Sequence, residues 1–317
     1  MKEKKRLNQN TFLLLVTILL FFVMYAIGCV LFNAQGFAKT QNFLNLFISN
    51  AGLIVIGIGM TIVMITGGID ISVGSFVAMG CMMLAWMMEK GGIGAVPAVL
   101  IVLVTGIVFG LVQGFLVAYM DIQPFIVSLA GMFFARGMTT IVNTKPFNVA
   151  NENFTALKET RVFVPGMGSV NKLGNYVNAY VEIGVIVALM VVIVMFVMLR
   201  WTKMGRNFYA VGGNSQSALM LGINVKRTKF LSHLLCGLLA GIGGYVYFLH
   251  VGSGSASHAT GMEMNAIASS IIGGTMLTGG VGNIIGTFFG VLSLSTIQNI
   301  VSSAGLDQAW WTGITIA

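Results

Sequence analysis

Few residues of this chain could do chemistry, and the best placed is an aspartate. Asp70 stands in Thr66–Phe76, TGGIDISVGSF, between two strongly apolar runs. Gly67 and Gly68 let the chain leave one helix and enter the next. At the N-cap of the second helix, the Asp70 carboxylate would accept from free N–H groups of the first turn. It would also face the positive end of the helix dipole. A second reading gives this polar junction to a solute path, since ionisable residues in membrane spans usually mark one. One residue can serve both roles. Asn50, Asp70, Ser72 and Ser75 are the candidate path residues. Three other charges lie in or beside apolar runs: Arg136 in LAGMFFARGMTT, Glu182 near a run's end and Glu263 at the start of another. Glu263 there suits the positive end of a helix.

The remaining chemistry is narrowed by motifs that do not occur. There is no H-E-x-x-H cluster and no G-x-x-x-x-G-K-[ST] phosphate loop; GGNSQSAL lacks the lysine. Any ATP-driven step therefore needs a separate subunit. Cys29, Cys81 and Cys236 lie in apolar stretches without paired spacing and read as small buried hydrophobes. His233, His250 and His258 form no ligand pattern. No metal, cofactor or nucleic acid is expected. A chain of buried acids, an arginine stripe and a TVGYG-like filter are also missing.

The elements that position these residues follow from composition. Of the 317 residues 56% are hydrophobic and 8% charged, with mean hydropathy +0.91. Soluble domains carry about 25% charged residues, and this chain cannot cover a wet surface. The apolar runs are too long and continuous for barrel strands of roughly 10 residues. The expected fold class is all-α, a polytopic transmembrane bundle of about ten helices. The first run, TFLLLVTILLFFVMYAIGCVLF, follows MKEKKR and reads as an uncleaved span. Further spans are expected near 42–66, 71–88, 94–118, 124–143, 179–199, 229–250, 263–279, 282–302 and from 308, the last apparently cut short at Ala317.

Lys2, Lys4, Lys5 and Arg6 precede the first span; Arg200, Lys203, Arg206, Lys226, Arg227 and Lys229 follow the sixth. These are ten of the 17 basic residues, and 200–229 holds no acid. The positive-inside rule puts both segments in the cytoplasm, and the span count agrees. The expected organisation is one domain over 1–317 with a cytoplasmic tail at 1–11, an external loop at 144–178 and a cytoplasmic loop at 200–228. The external loop suggests a short helix around Asn153 to Thr160 and reads either as a solvated connector or as a dock for an outside partner.

In the cytoplasmic loop Gly212-Gly213 reads as a turn. Asn214 can cap a short helix, SQSALMLG, that Gly222 ends. Its apolar residues, Ala218 to Leu221, suit docking to a cytosolic protein or lying on lipid between basic flanks. Glycines at four-residue spacing, such as Gly106, Gly110 and Gly114, allow helix backbones to approach within one chain or in a dimer. Thr278–Phe288, TGGVGNIIGTF, echoes Thr66–Phe76 at five of eleven positions. Such repeats at broken helices recur in transporters.

GGIDISVGS, LAGMFFARG, GRNFYAVGGNSQSALMLGI and AIASSIIGGTMLTGGVGNIIGT, in this order, resemble the permease subunits of bacterial ribose-type ABC sugar importers. Within that family WWTGI, LAGMFFARG and the GGN of the loop are most similar to the galactofuranose-type branch. The resemblance implies a multi-pass protein of the bacterial plasma (inner) membrane that passes a monosaccharide inward. It implies a second permease subunit (identical or related), a cytosolic ABC ATPase and an extracytoplasmic sugar-binding protein, besides membrane lipid. It makes the segment Gly212 to Gly222 a coupling helix, with Arg206, Gly213, Asn214, Ala218, Leu219 and Gly222 as the ATPase-coupling residues. The alternative, an ion-coupled secondary carrier of a small polar solute, lacks buried acids in number. A membrane-embedded enzyme lacks a catalytic cluster.

Overall fold

The computed structural model describes residues 9–170 and 176–306. The expected last span, most of the amino-terminal tail and part of the external loop lie outside the described residues. Helices α1 (Gln9–Leu31), α2 (Thr40–Ile65), α3 (Val73–Glu89), α4 (Ala95–Ala118) and α5 (Pro124–Val142) come first. A strand β1 (Phe147–Asn148), helix α6 (Glu152–Glu159) and the hairpin β2 (Arg161–Val170) and β3 (Tyr176–Glu182) follow. Then come α7 (Ile183–Trp201), α8 (Lys203–Gly213), α9 (Ser215–Met220) and α10 (Val225–Val251). Strand β4 (Ser253–Gly254), α11 (Met262–Ile272) and α12 (Ile284–Ser303) complete the described fold. Among the described residues seven helices are long and apolar enough to cross a membrane: α1, α2, α4, α5, α7, α10 and α12.

The core is built around α2, where every residue from Ala51 to Thr66 is buried. The outer helices turn apolar side chains outward, as Leu19, Val96, Phe133 and Ile193 do. That surface suits hydrocarbon, where nothing apolar needs hiding. Helices α4 and α10 approach closely. A Cβ on Gly106 would sit 2.6 Å from the Gly237 carbonyl, and one on Gly110 would sit 2.7 Å from that of His233. The glycine stripe therefore packs within the chain. Where α2, α11 and α12 meet, hydroxyls bond one another. Thr61 Oγ1 lies 3.0 Å from Ser270 Oγ and 2.6 Å from Thr287 Oγ1.

Most expected spans fall within a few residues of a helix. The stretch 263–279 does not: α11 ends at Ile272, because Gly273 and Gly274, the latter at φ +86°, break the ladder. Residues 179–182, expected as helix, are strand. Gly212-Gly213 is not a turn but the last turn of α8, a helix the sequence reading lacks. Glycine is needed at 212 for close approach: a Cβ there would overlap the Ile65 carbonyl oxygen and lie 2.5 Å from Gly280 N.

Candidate functional site: a glycine node beneath the α8–α9 loop

The two ends of the bundle differ. One carries α8 and α9. The other carries the strands and α6, tied down by Glu89 accepting from Ala150 N at 2.9 Å and by His250 Nδ1 lying 3.0 Å from Glu182. At the α8–α9 end the two echoed segments touch. Gly280 N donates to Ile65 O at 2.8 Å. A Cβ on Gly279 would meet Gly67 Cα at 3.0 Å and Gly212 O at 2.9 Å. Gly67 (φ +82°) and Gly279 (φ +88°) have backbone conformations that side chains rarely adopt. The echo thus marks two breaks, after α2 and after α11, that pack together under the end of α8. Tyr209 of α8 fastens the node by donating its hydroxyl to Gly282 O at 2.9 Å. Burial pushes its phenol above the ordinary value, so it stays a neutral donor.

An open cleft of about 420 Å³ lies beside this node, lined by Thr66, Gly67, Gly212, Gly213, Lys229 and Thr278 among others. Along its rim α9 starts where Asn214 accepts from Ser217 N at 2.8 Å and ends before Gly222, at φ +79°. Ala218 is buried, whereas Leu219, Met220 and Leu221 are 64%, 89% and 79% exposed. Arg206 is exposed near the start of α8, and Gly213 has open space where a Cβ would stand. The expected capped helix is present, and the structure splits its residues into one that anchors, Ala218, and three that face outward.

Asp70 is not the N-cap of α3; that position falls to Ser72. The carboxylate instead holds the turn before it. Asp70 Oδ1 accepts from Ser72 N at 3.0 Å and from Ser72 Oγ, and Ser72 Oγ accepts from Gln113 Nε2 at 2.7 Å. The reason lies in the backbone, which is still turning at residues 70–72 and becomes helical at Val73. His233 and Cys236 of α10 lie beside the same carboxylate. Ser75 is buried one turn on, and Asn50 Nδ2 donates to Ser295 Oγ at 2.7 Å. The four candidate path residues fall into two groups, the buried Asp70–Ser72–Ser75 and, apart from them, the half-buried Asn50.

The sequence reading passed over the polar stretch Gly252–Gly261, GSGSASHATG, which supplies the partners of Arg136. Arg136 Nη1 donates to the carbonyls of Ala256 and His258, both at 2.8 Å. Its pairing is with backbone rather than with an acid. The signal in the sequence was the density of Ser, Gly and Thr at a junction between two spans.

A bundle of long apolar helices, with broken helices meeting under a basic extramembrane loop, defines a membrane transport component. The chain belongs to the family described as branched-chain amino acid transport system / permease component, which matches residues 42–317. It is a permease component rather than an enzyme, and a multi-pass membrane protein. Among its relatives is the inner membrane ABC transporter permease protein YjfF of Escherichia coli (strain K12). It is 36% identical over 303 residues, covering 96% of this chain and 88% of the relative. The fructose import permease protein FruG of Bifidobacterium longum is 33% identical over 312 residues, covering 98% and 89%. The ribose import permease protein RbsC of Escherichia coli (strain K12) is 33% identical over 276 residues, covering 87% and 82%. No solved structure matches the chain.

Proposed function

We propose that this chain is the membrane permease of a bacterial ABC importer that carries a monosaccharide into the cytoplasm, in the ribose-type group and its galactofuranose-type branch. A cytosolic ATPase drives it, an extracytoplasmic binding protein feeds it, and a second permease subunit, identical or related, completes the path within the lipid. The relatives that import ribose and fructose support the sugar. The amino terminus and the α8–α9 loop are cytoplasmic, the strand end is external, and the described helices belong to a ten-span domain over 1–317. In that count the shorter α3 and α11 take part as broken spans.

The observation that carries the reading is the outward apolar face of α9 within the segment 200–229, which has six basic residues and no acid. Such a face in a basic loop suits a groove on a cytosolic partner. ATP binding closes the ATPase dimer and pushes α9. Through Gly212 the push reaches the breaks after α2 and α11, and the helices rock so that the path opens to each side in turn. Arg206, Gly213, Asn214, Ala218, Leu219 and Gly222 shape or touch the ATPase contact. Asn50, Asp70, Ser72 and Ser75 stiffen the wall of the path and reach solute when the helices part. The test is Leu219→Asp in the assembled importer: ATP hydrolysis persists, uptake falls at least tenfold and membrane insertion is normal. Wild-type uptake by this variant would remove the docking role of α9.

A further inference from the structure

The segment between α10 and α11 re-enters the bundle. It leaves α10 at the strand end, where Lys158 Nζ donates to Val251 O at 3.2 Å. Gly254 packs on α3 at Met82 and Ala85; a Cβ there would lie 2.9 Å from that of Ala85. Ala259 and Glu263 pack on α3 at Gly74, where a Cβ would meet the Ala259 carbonyl at 3.0 Å and overlap Glu263 Oε2. At about 1.5 Å of helix rise per residue, Gly74 is about 22 Å below Glu89, the strand end of α3. A bilayer's hydrocarbon is about 30 Å thick. Residues 255–261 therefore run, without regular structure, deep inside the membrane thickness. Helix α11, with 11 residues, starts there and covers about half that thickness.

Irregular backbone at this depth does not face lipid; it is covered by protein or lines water. In this segment Ser257 and Thr260 are exposed on the chain's own surface. Arg136 fixes the segment by its two carbonyl bonds, and Thr260 Oγ1 donates to Ser257 O at 2.9 Å. Glu263, half-buried in the first turn of α11, has a carboxylate oxygen, Oε2, with no partner among the described residues. Asn265 Oδ1 is likewise unpartnered and buried. The exposed hydroxyls of Ser257 and Thr260 bond neutral hydroxyl groups well, while the Glu263 and Asn265 acceptors lie buried behind them.

We propose that Gly252–Gly261, at the mouth of α11, forms a wall of the aqueous path, at which Ser257 and Thr260 take the hydroxyls of a polyhydroxylated solute while Arg136 positions the segment. This deepens the sugar-permease reading and rests on it for the solute's class.

The test uses the full importer in lipid vesicles with Cys29→Ser as background. Ser257→Cys, Thr260→Cys and the outward-facing control Ile193→Cys are treated from both faces with a charged methanethiosulfonate. The two wall variants react at least tenfold faster than the control, and whichever of ribose, fructose or galactose is transported slows them. Reaction as slow as the control, in an importer that takes up sugar, overturns the proposal. Reactive wall variants with no uptake of any of the three sugars by the parent protein would leave the aqueous wall standing and count against the sugar reading instead.

Discussion

Gly212 and Gly213 are chemically identical neighbours with opposite surroundings, and exchanging each for alanine tests how the loop is joined to the membrane helices. At Gly213 a Cβ meets nothing within 4 Å. At Gly212 it would overlap the Ile65 carbonyl oxygen and lie 2.5 Å from Gly280 N, both backbone atoms that cannot swing away. Ordinary contact for such pairs begins at 3.4 Å, so the end of α8 must retreat by well over 1 Å. Overpacking of this kind costs about 1–3 kcal/mol. Loss of the adjacent bond from Gly280 N to Ile65 O would add roughly 1 kcal/mol. Gly213→Ala, unhindered at the last position of α8, gains at most about 0.5 kcal/mol instead. Measured by reversible denaturant titration of the detergent-purified protein, the two variants should differ by at least about 1.5 kcal/mol, roughly tenfold in the unfolding constant. In the assembled importer Gly212→Ala should also lower sugar uptake per ATP hydrolysed by more than Gly213→Ala does. Equal stability and equal coupling in both variants would refute the glycine node as the mechanical link.

Other consequences are local. Asn214→Ala removes the cap of α9 and should cost about 1 kcal/mol of loop stability, seen as faster amide exchange at Ser217. Thr61→Val leaves Thr287 Oγ1 and Ser270 Oγ short of a buried partner, and should lower the unfolding free energy by about 1–3 kcal/mol. Tyr209→Phe deletes the bond to Gly282 O and should cost about 0.5–1.5 kcal/mol with a partial loss of coupling.

The long spans were legible because hydrocarbon demands about 20 apolar residues in a row and the chain supplies them. What escaped was non-local. Gly212 looked like a turn because glycine usually makes one, yet its role is to let α8 touch the end of α2, a contact between residues far apart in sequence. Asp70 was legible as a helix-start residue and misplaced by two positions, since the capping signal does not say how far the preceding turn extends. The echo of TGGIDISVGSF in TGGVGNIIGTF was visible, but that the two copies pack against each other was not. Arg136 had no acidic partner to suggest, because its partners are backbone carbonyls that carry no side-chain signal. Asn214 and Gly222, by contrast, were placed correctly, because capping and helix termination are decided within a few residues, whereas Ala218, expected on the docking face, is buried.

The central claim, that this permease works as part of an ATP-driven assembly, is tested most directly by purifying the tagged protein from its native membranes in mild detergent. Mass spectrometry should then find a cytosolic ATPase in near-stoichiometric amount, with a second copy of the chain or a related permease. The protein emerging alone, and still moving sugar in vesicles without ATP, would contradict the account.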